Sequence, residues 1–170
     1  MTQDKRRKKP VEISLIGEVD DWEDDVVKAI LEMPPGSDCV FYMDSMGGSV
    51  YGAVAVATLL KLRKIKGTAI VLGECSSACL LLLAACEKRL VTRYSTLLFH
   101  RMRWQSDKRV ESREAFQWAK HFDDLEKEID DWQAAMFGAS EAQVRAWTEK
   151  GCYVTGTQMV EAGLAELFEV

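Results

Sequence analysis

Short apolar runs alternate along this chain with longer stretches of helical period, and that alternation narrows the fold more than any other feature. Residues 11–16 read as a strand. Residues 22–33 have helical periodicity, with acidic side chains in the first turns where they suit the helix dipole, and Pro34-Pro35-Gly36 ends the run. Residues 39–43 form the next apolar run, then Gly47-Gly48, then a helix over 50–64 with Lys61, Arg63 and Lys64 in its last turn. A strand at 68–72 precedes a smoothly apolar helix at 78–86, and strands at 90–91 and 96–99 follow, the second ending at His100. One long helix spans 111–137, with Phe122, Leu125, Ile129, Trp132 and Met136 on one face and Gly138 closing it. Short helices at 141–147 and 157–162 and a strand at 164–170 complete the chain. The pattern predicts an α/β domain over 11–170 with mostly parallel pairing, preceded by a flexible basic tail at 1–10.

Composition excludes several functions. A net charge of −5 gives no support to nucleic-acid or membrane-surface binding, and the basic run at 5–9 reads as a solvated arm. No apolar segment follows that basic start, so no signal peptide is expected. The five cysteines, Cys39, Cys75, Cys79, Cys86 and Cys152, read as thiols used as small hydrophobes in a reducing cytoplasm. Cys75 and Cys79 stand four apart, but His100 and His121 lack zinc-site spacing, so neither a metal nor a cofactor is expected. The apolar run from Cys75 to Cys86 is too short to span a bilayer.

Twice, an apolar strand runs into a small-residue turn that opens a helix: "DSMGGSV" from Asp44 and "GECSSAC" from Gly73. Glycine lets backbone N–H groups approach a ligand, and a helix N-terminus favours negative charge. Two such turns side by side can aim N–H groups at one developing oxyanion. A serine pair ahead of a helix is ordinarily an N-cap, and Gly-Gly is ordinarily a turn. What tips the balance is His100 at a strand end downstream, because a serine nucleophile needs a base and that base is most often histidine. One of Ser76 and Ser77 is therefore a candidate nucleophile. His121, inside the long helix beside Lys120 and near Asp123, reads as a surface or packing residue.

The segments "FYMDSMGGSVYGAVAV", "VLGECSSACLLLLAACEKRLV" and "YSTLLFHRM" resemble, in order and spacing, the core of the proteolytic subunit of Clp protease. The likeness runs from about Val11 to Val170 and takes in "YVTGTQMVEAGLAEL". It implies a ClpP/crotonase-like spiral of ββα units, with the 111–137 helix projecting as a handle. It also implies Ser77 as nucleophile, His100 as base, and the Gly48 and Ala78 N–H groups as oxyanion hole. Three departures stand out. A gapless count puts the family's orienting acid at Trp147, which cannot accept a hydrogen bond, with Glu149 two residues on as a possible substitute. The stretch after His100, "RMRWQSDKRVESRE", is charged and lacks the family's Gly and Pro. The N-terminus is short for the family's axial segment.

The resemblance implies a serine endopeptidase acting on unfolded or short peptides. Trp147 favours a second reading, a catalytically silent ring subunit. A third is a crotonase-type acyl-CoA enzyme, which would share the fold and an amide-built oxyanion hole. The apolar face of the long helix, which also includes Phe116, predicts a homo-oligomer, and the resemblance implies rings. An unfolding ATPase partner is implied by the family alone. The chain itself has no phosphate-binding loop of the Walker type.

Overall fold

A computed structural model describes residues 9–106 and 109–169. Most of the basic tail, Met1 to Lys8, lies outside the described residues, as do Asp107, Lys108 and Val170. The main sheet has the order β1-β2-β3-β4-β7, formed by Val11–Glu18, Asp38–Gly47, Lys66–Cys75, Lys88–Val91 and Glu166–Leu167, and all its pairings are parallel. Strand-to-strand crossovers through helices produce that pattern. On β2 the buried Cys39, Phe41 and Met43 alternate with the half-buried Val40 and Tyr42. The period-two pattern turns one face of the strand towards the core.

Helices α1 (Val19–Glu32) and α2 (Val50–Leu62) bury one stripe each: Val19, Trp22, Val26 and Ile30 on the first, Ala53, Val56, Ala57 and Leu60 on the second. Helix α3 (Cys79–Ala85) is apolar all round, and every residue of it is buried. A helix without a polar face has to sit inside the molecule. Burying one Leu of its run contributes about 1.5–3 kcal/mol.

Arg89 ties the ends of two helices together. Its guanidinium donates to the carbonyls of Ala84 and Cys86 at the end of α3, and of Met136 and Phe137 at the end of α4 (Ser112–Phe137). Its Nε donates to the Leu164 carbonyl at 2.7 Å. A cation fits there, since the last carbonyls of a helix lack intrahelical donors and carry the negative end of the dipole.

A second, smaller layer positions the site. Beyond its pairing with β4, β3 continues until Glu74 meets Thr96, the first residue of β5 (Thr96–Phe99). β5 in turn pairs antiparallel with β6 (Cys152–Thr155), Phe99 opposite Cys152. This arrangement carries the end of β5 over the start of α3. Phe99 is buried there, its ring 5.0 Å from that of Trp147 and 6.4 Å from that of Phe137.

Three elements differ from the sequence expectation. β6 was not anticipated; it is four residues long and exists through a non-local pairing with β5. Helix α5 (Glu141–Lys150) runs three residues past the 141–147 that the sequence indicates and ends at Gly151 in the left-handed conformation, φ 67°. The final strand shrinks to two residues, because only Leu90 and Val91 offer it partners.

The buried residues of α4 are Glu126, Gln133, Ala134 and Phe137, so its N-terminal half lies away from the core. Part of its apolar stripe is covered by the chain itself. Trp104 packs edge-on against Trp118 at 5.4 Å and stacks on Phe122 at 5.9 Å. His121 shares a 2.8 Å hydrogen bond with the Tyr51 hydroxyl of α2, a packing role of the kind the sequence indicated. Phe116 stays 71% exposed.

Candidate active site

The joint between β3 and α3 separates the two serines by role. Ser76 is buried: its N–H donates to the Ser45 carbonyl at 2.9 Å and its hydroxyl accepts the Leu98 N–H at 3.2 Å. It fastens β5 and the β2 turn to the joint. Ser77 is half-buried and adopts φ +56°, a left-handed conformation rare for a residue with a Cβ. Such a conformation costs about 1–3 kcal/mol and persists only where the surroundings over-determine it. Here the Ser77 N–H donates to the Leu98 carbonyl at 2.9 Å, and its own carbonyl accepts the Leu80 N–H at 3.0 Å.

The β2–α2 turn passes directly against this joint. A Cβ on Gly47 would lie 2.6 Å from the Ser77 Cβ and 2.9 Å from the Ser76 carbonyl oxygen, and Gly47 has φ +103°. Gly48, φ +129°, would place a Cβ 2.7 Å from Asp20 Oδ2, the atom that accepts the Ser49 N–H at 2.8 Å. Only glycine lets the turn come this close to Ser77.

A cavity of about 260 Å³ opens here. Gly48, Ser77, Ala78 and His100 all line it, so the four residues singled out from the sequence border one cavity. Helix α4 supplies Glu126, Ile129, Asp130 and Gln133 to the lining, and α5 supplies Thr148. His100 Nδ1 lies 2.8 Å from the Arg101 carbonyl oxygen. A carbonyl only accepts, so this bond places a proton on Nδ1, and in the neutral imidazole Nε2 then carries the lone pair.

The residues considered for a third acid lie elsewhere. Trp147 packs against Phe99 and the core. Glu149 is exposed on the last turn of α5 and lines a neighbouring cleft with Arg101, Lys127, Arg145 and Asp130. The structure does not bring it to the cavity that His100 lines.

Sequence reasoning missed two carboxylates on α4. Glu126 is buried; its Oε1 accepts the Met102 N–H at 2.6 Å and its Oε2 pairs with the Arg101 guanidinium at 2.6 Å. Asp130, one turn on, lines the cavity; burial, and then the nearby Glu126 charge, push its carboxyl up to about 6. The available signal was spacing: Glu126, Ile129, Asp130 and Gln133 fall on one helical face. The five cysteines are free, and burial pushes the Cys39 and Cys86 thiols up to about 12, so both stay protonated packing groups.

A parallel sheet with a second strand layer that hangs a histidine over the start of a buried helix, and with a long outlying helix, defines an α/β fold of the ClpP/crotonase-like class. The Clp protease family model matches residues 5–168, and the chain belongs to that family. Members of the family are peptidases that act on peptide substrates and form oligomeric rings. No curated protein matches the chain. No helix among the described residues is long and apolar enough to cross a membrane.

Proposed function

We propose that this chain is a serine-type endopeptidase that cuts short or unfolded peptides through Ser77 and His100, without an acid bonded directly to the histidine. The observation that carries the reading is that Ser77, His100, Gly48 and Ala78 line one cavity. The Nδ1–H bond to the Arg101 carbonyl supports the base role, because it presents the Nε2 lone pair as acceptor.

In this reading His100 Nε2 takes the Ser77 hydroxyl proton as Oγ attacks the scissile carbonyl carbon. The carbonyl oxygen becomes an oxyanion, held by the N–H groups of Gly48 and Ala78. The imidazolium then gives its proton to the leaving amine, the C–N bond breaks, and an acyl-Ser77 ester remains. Water, deprotonated by His100, hydrolyses that ester and restores the Ser77 hydroxyl. The chain works in the cytoplasm as a homo-oligomeric ring, a reading supported by family membership, the unpaired thiols and the exposed Phe116 on α4.

Family membership favours peptidase chemistry over the acyl-CoA alternative. The silent ring subunit draws its support from Trp147, which a gapless count puts at the family's acid position and whose ring packs on Phe99. Hydrolysis of short fluorogenic peptide amides decides between them. The peptidase reading expects turnover by wild type and its loss in Ser77→Ala at an unchanged oligomeric state. Equal background rates in the two proteins would favour the silent subunit.

A further inference from the structure

Resting on the Ser77–His100 reading, we infer that Glu126 of α4 is a positioning residue that replaces the missing third acid, acting on His100 through the peptide unit between Arg101 and Met102. The two ends of that one amide are both engaged. Its carbonyl oxygen, on Arg101, meets His100 Nδ1 at 2.8 Å. Its N–H, on Met102, donates to Glu126 Oε1 at 2.6 Å. A carboxylate at the N–H end draws the amide towards its charge-separated resonance form and increases the negative charge on the carbonyl oxygen. His100 Nδ1–H therefore faces a stronger acceptor than an ordinary carbonyl, and the imidazolium formed during attack is stabilised.

The burial of Glu126 makes sense only with such partners. A buried carboxylate is costly unless its oxygens are bonded. Oε1 takes the Met102 N–H, and Oε2 takes the Arg101 guanidinium at 2.6 Å. Arg101 therefore pairs with the oxygen away from the amide and holds the carboxylate in register. Other charged groups line the cavity and the cleft beside it, and Asp123 stands 3.6 Å from the Arg101 guanidinium. Arg103 and Asp130 line the same cavity, while Lys127, Arg145 and Glu149 border the adjoining cleft with Arg101. Among the described residues, Glu126 is the one carboxylate hydrogen-bonded to the amide that His100 contacts.

The test uses the full chain labelled with ¹⁵N-histidine. It has two histidines, and a His121→Gln variant assigns the signals. Glu126→Gln keeps an oxygen able to accept the Met102 N–H and removes the charge alone. The His100 Nδ1–H proton resonance is expected to move upfield as its acceptor weakens, and kcat for a fluorogenic peptide amide to fall about tenfold with KM nearly unchanged. The double variant Arg101→Gln/Glu126→Gln, which also removes the guanidinium that Glu126 shares with Asp123, should show the same direction of change. An unaltered His100 Nδ1–H resonance and kcat in Glu126→Gln, with hydrolysis still abolished by Ser77→Ala, would overturn the relay and leave the peptidase standing. Full hydrolysis by Ser77→Ala would instead remove the Ser77 reading and this inference with it.

Discussion

His100 Nδ1 bonds the carbonyl of Arg101, its own neighbour in the chain, at 2.8 Å. The imidazole is thus oriented by the backbone that leaves β5, and that backbone is anchored from the outside by α4. An acid brought from α5 would have to displace an existing bond rather than fill a gap.

That arrangement separates Glu149 from Trp147 experimentally. Glu149→Gln removes an exposed carboxylate outside the cavity and should change peptide turnover less than about twofold. Trp147→Asp removes a ring packed on Phe99 at 5.0 Å and leaves a half-buried charge. It should lose about 3–5 kcal/mol in urea unfolding and gain no activity. A gain in turnover would show that His100 can still recruit an acid from α5.

Asp130 gives a pH signature of its own. Its carboxyl is raised to about 6, from 3.8, chiefly by burial and next by the Glu126 charge. The folded protein therefore holds this proton between about pH 4 and 6 when the unfolded chain does not. Its contribution to stability is present below about pH 4 and is lost as pH rises through 6. Asp130→Asn should be more stable than wild type at pH 7, by about 1 kcal/mol after solvent screening of a half-exposed group, and no more stable at pH 4. Denaturant titrations at the two pH values check the crossover.

Gly47→Ala probes the contact between the two turns. Its Cβ would lie 2.6 Å from that of Ser77, at a backbone φ of +103°. The variant should lose at least about 2 kcal/mol, and hydrolysis should drop about a hundredfold through displacement of the serine. Turnover at the wild-type rate would mean that the turn does not define where Ser77 sits.

Much of this site could be read from residue types alone. The small-residue turns lie where strands meet helices, and His100 directly follows β5, as its position after "TLLF" indicated. Ser77 could not be separated from Ser76 by composition; the difference is a left-handed φ and a buried hydroxyl bond to Leu98, which arise from tertiary packing. Glu126 and Asp130 were hidden in a helix so acidic that each carboxylate looks solvated. The partner of His100 Nδ1 is a backbone carbonyl, which has no residue signature at all. β6 escaped for a related reason, since four residues pair only once β5 is in place.

Arg89→Met tests what holds the handle helix to the body. The substitution keeps the stem but leaves the carbonyls of Ala84, Cys86, Met136, Phe137 and Leu164 without this donor. A loss of about 2–3 kcal/mol is expected, read as a fall in Tm of about 5–10 °C. An unchanged Tm would mean that packing alone docks α4.

Covalent labelling of Ser77 reaches the central claim most directly. A fluorophosphonate reacts with a serine hydroxyl whose proton a neighbouring base can take and whose oxyanion finds donors. Peptide mapping of the labelled wild-type protein should place the adduct on Ser77, with labelling abolished by Ser77→Ala and slowed at least about a hundredfold by His100→Ala. No adduct on Ser77 in folded, assembled wild-type protein, or labelling indifferent to His100, would contradict the account.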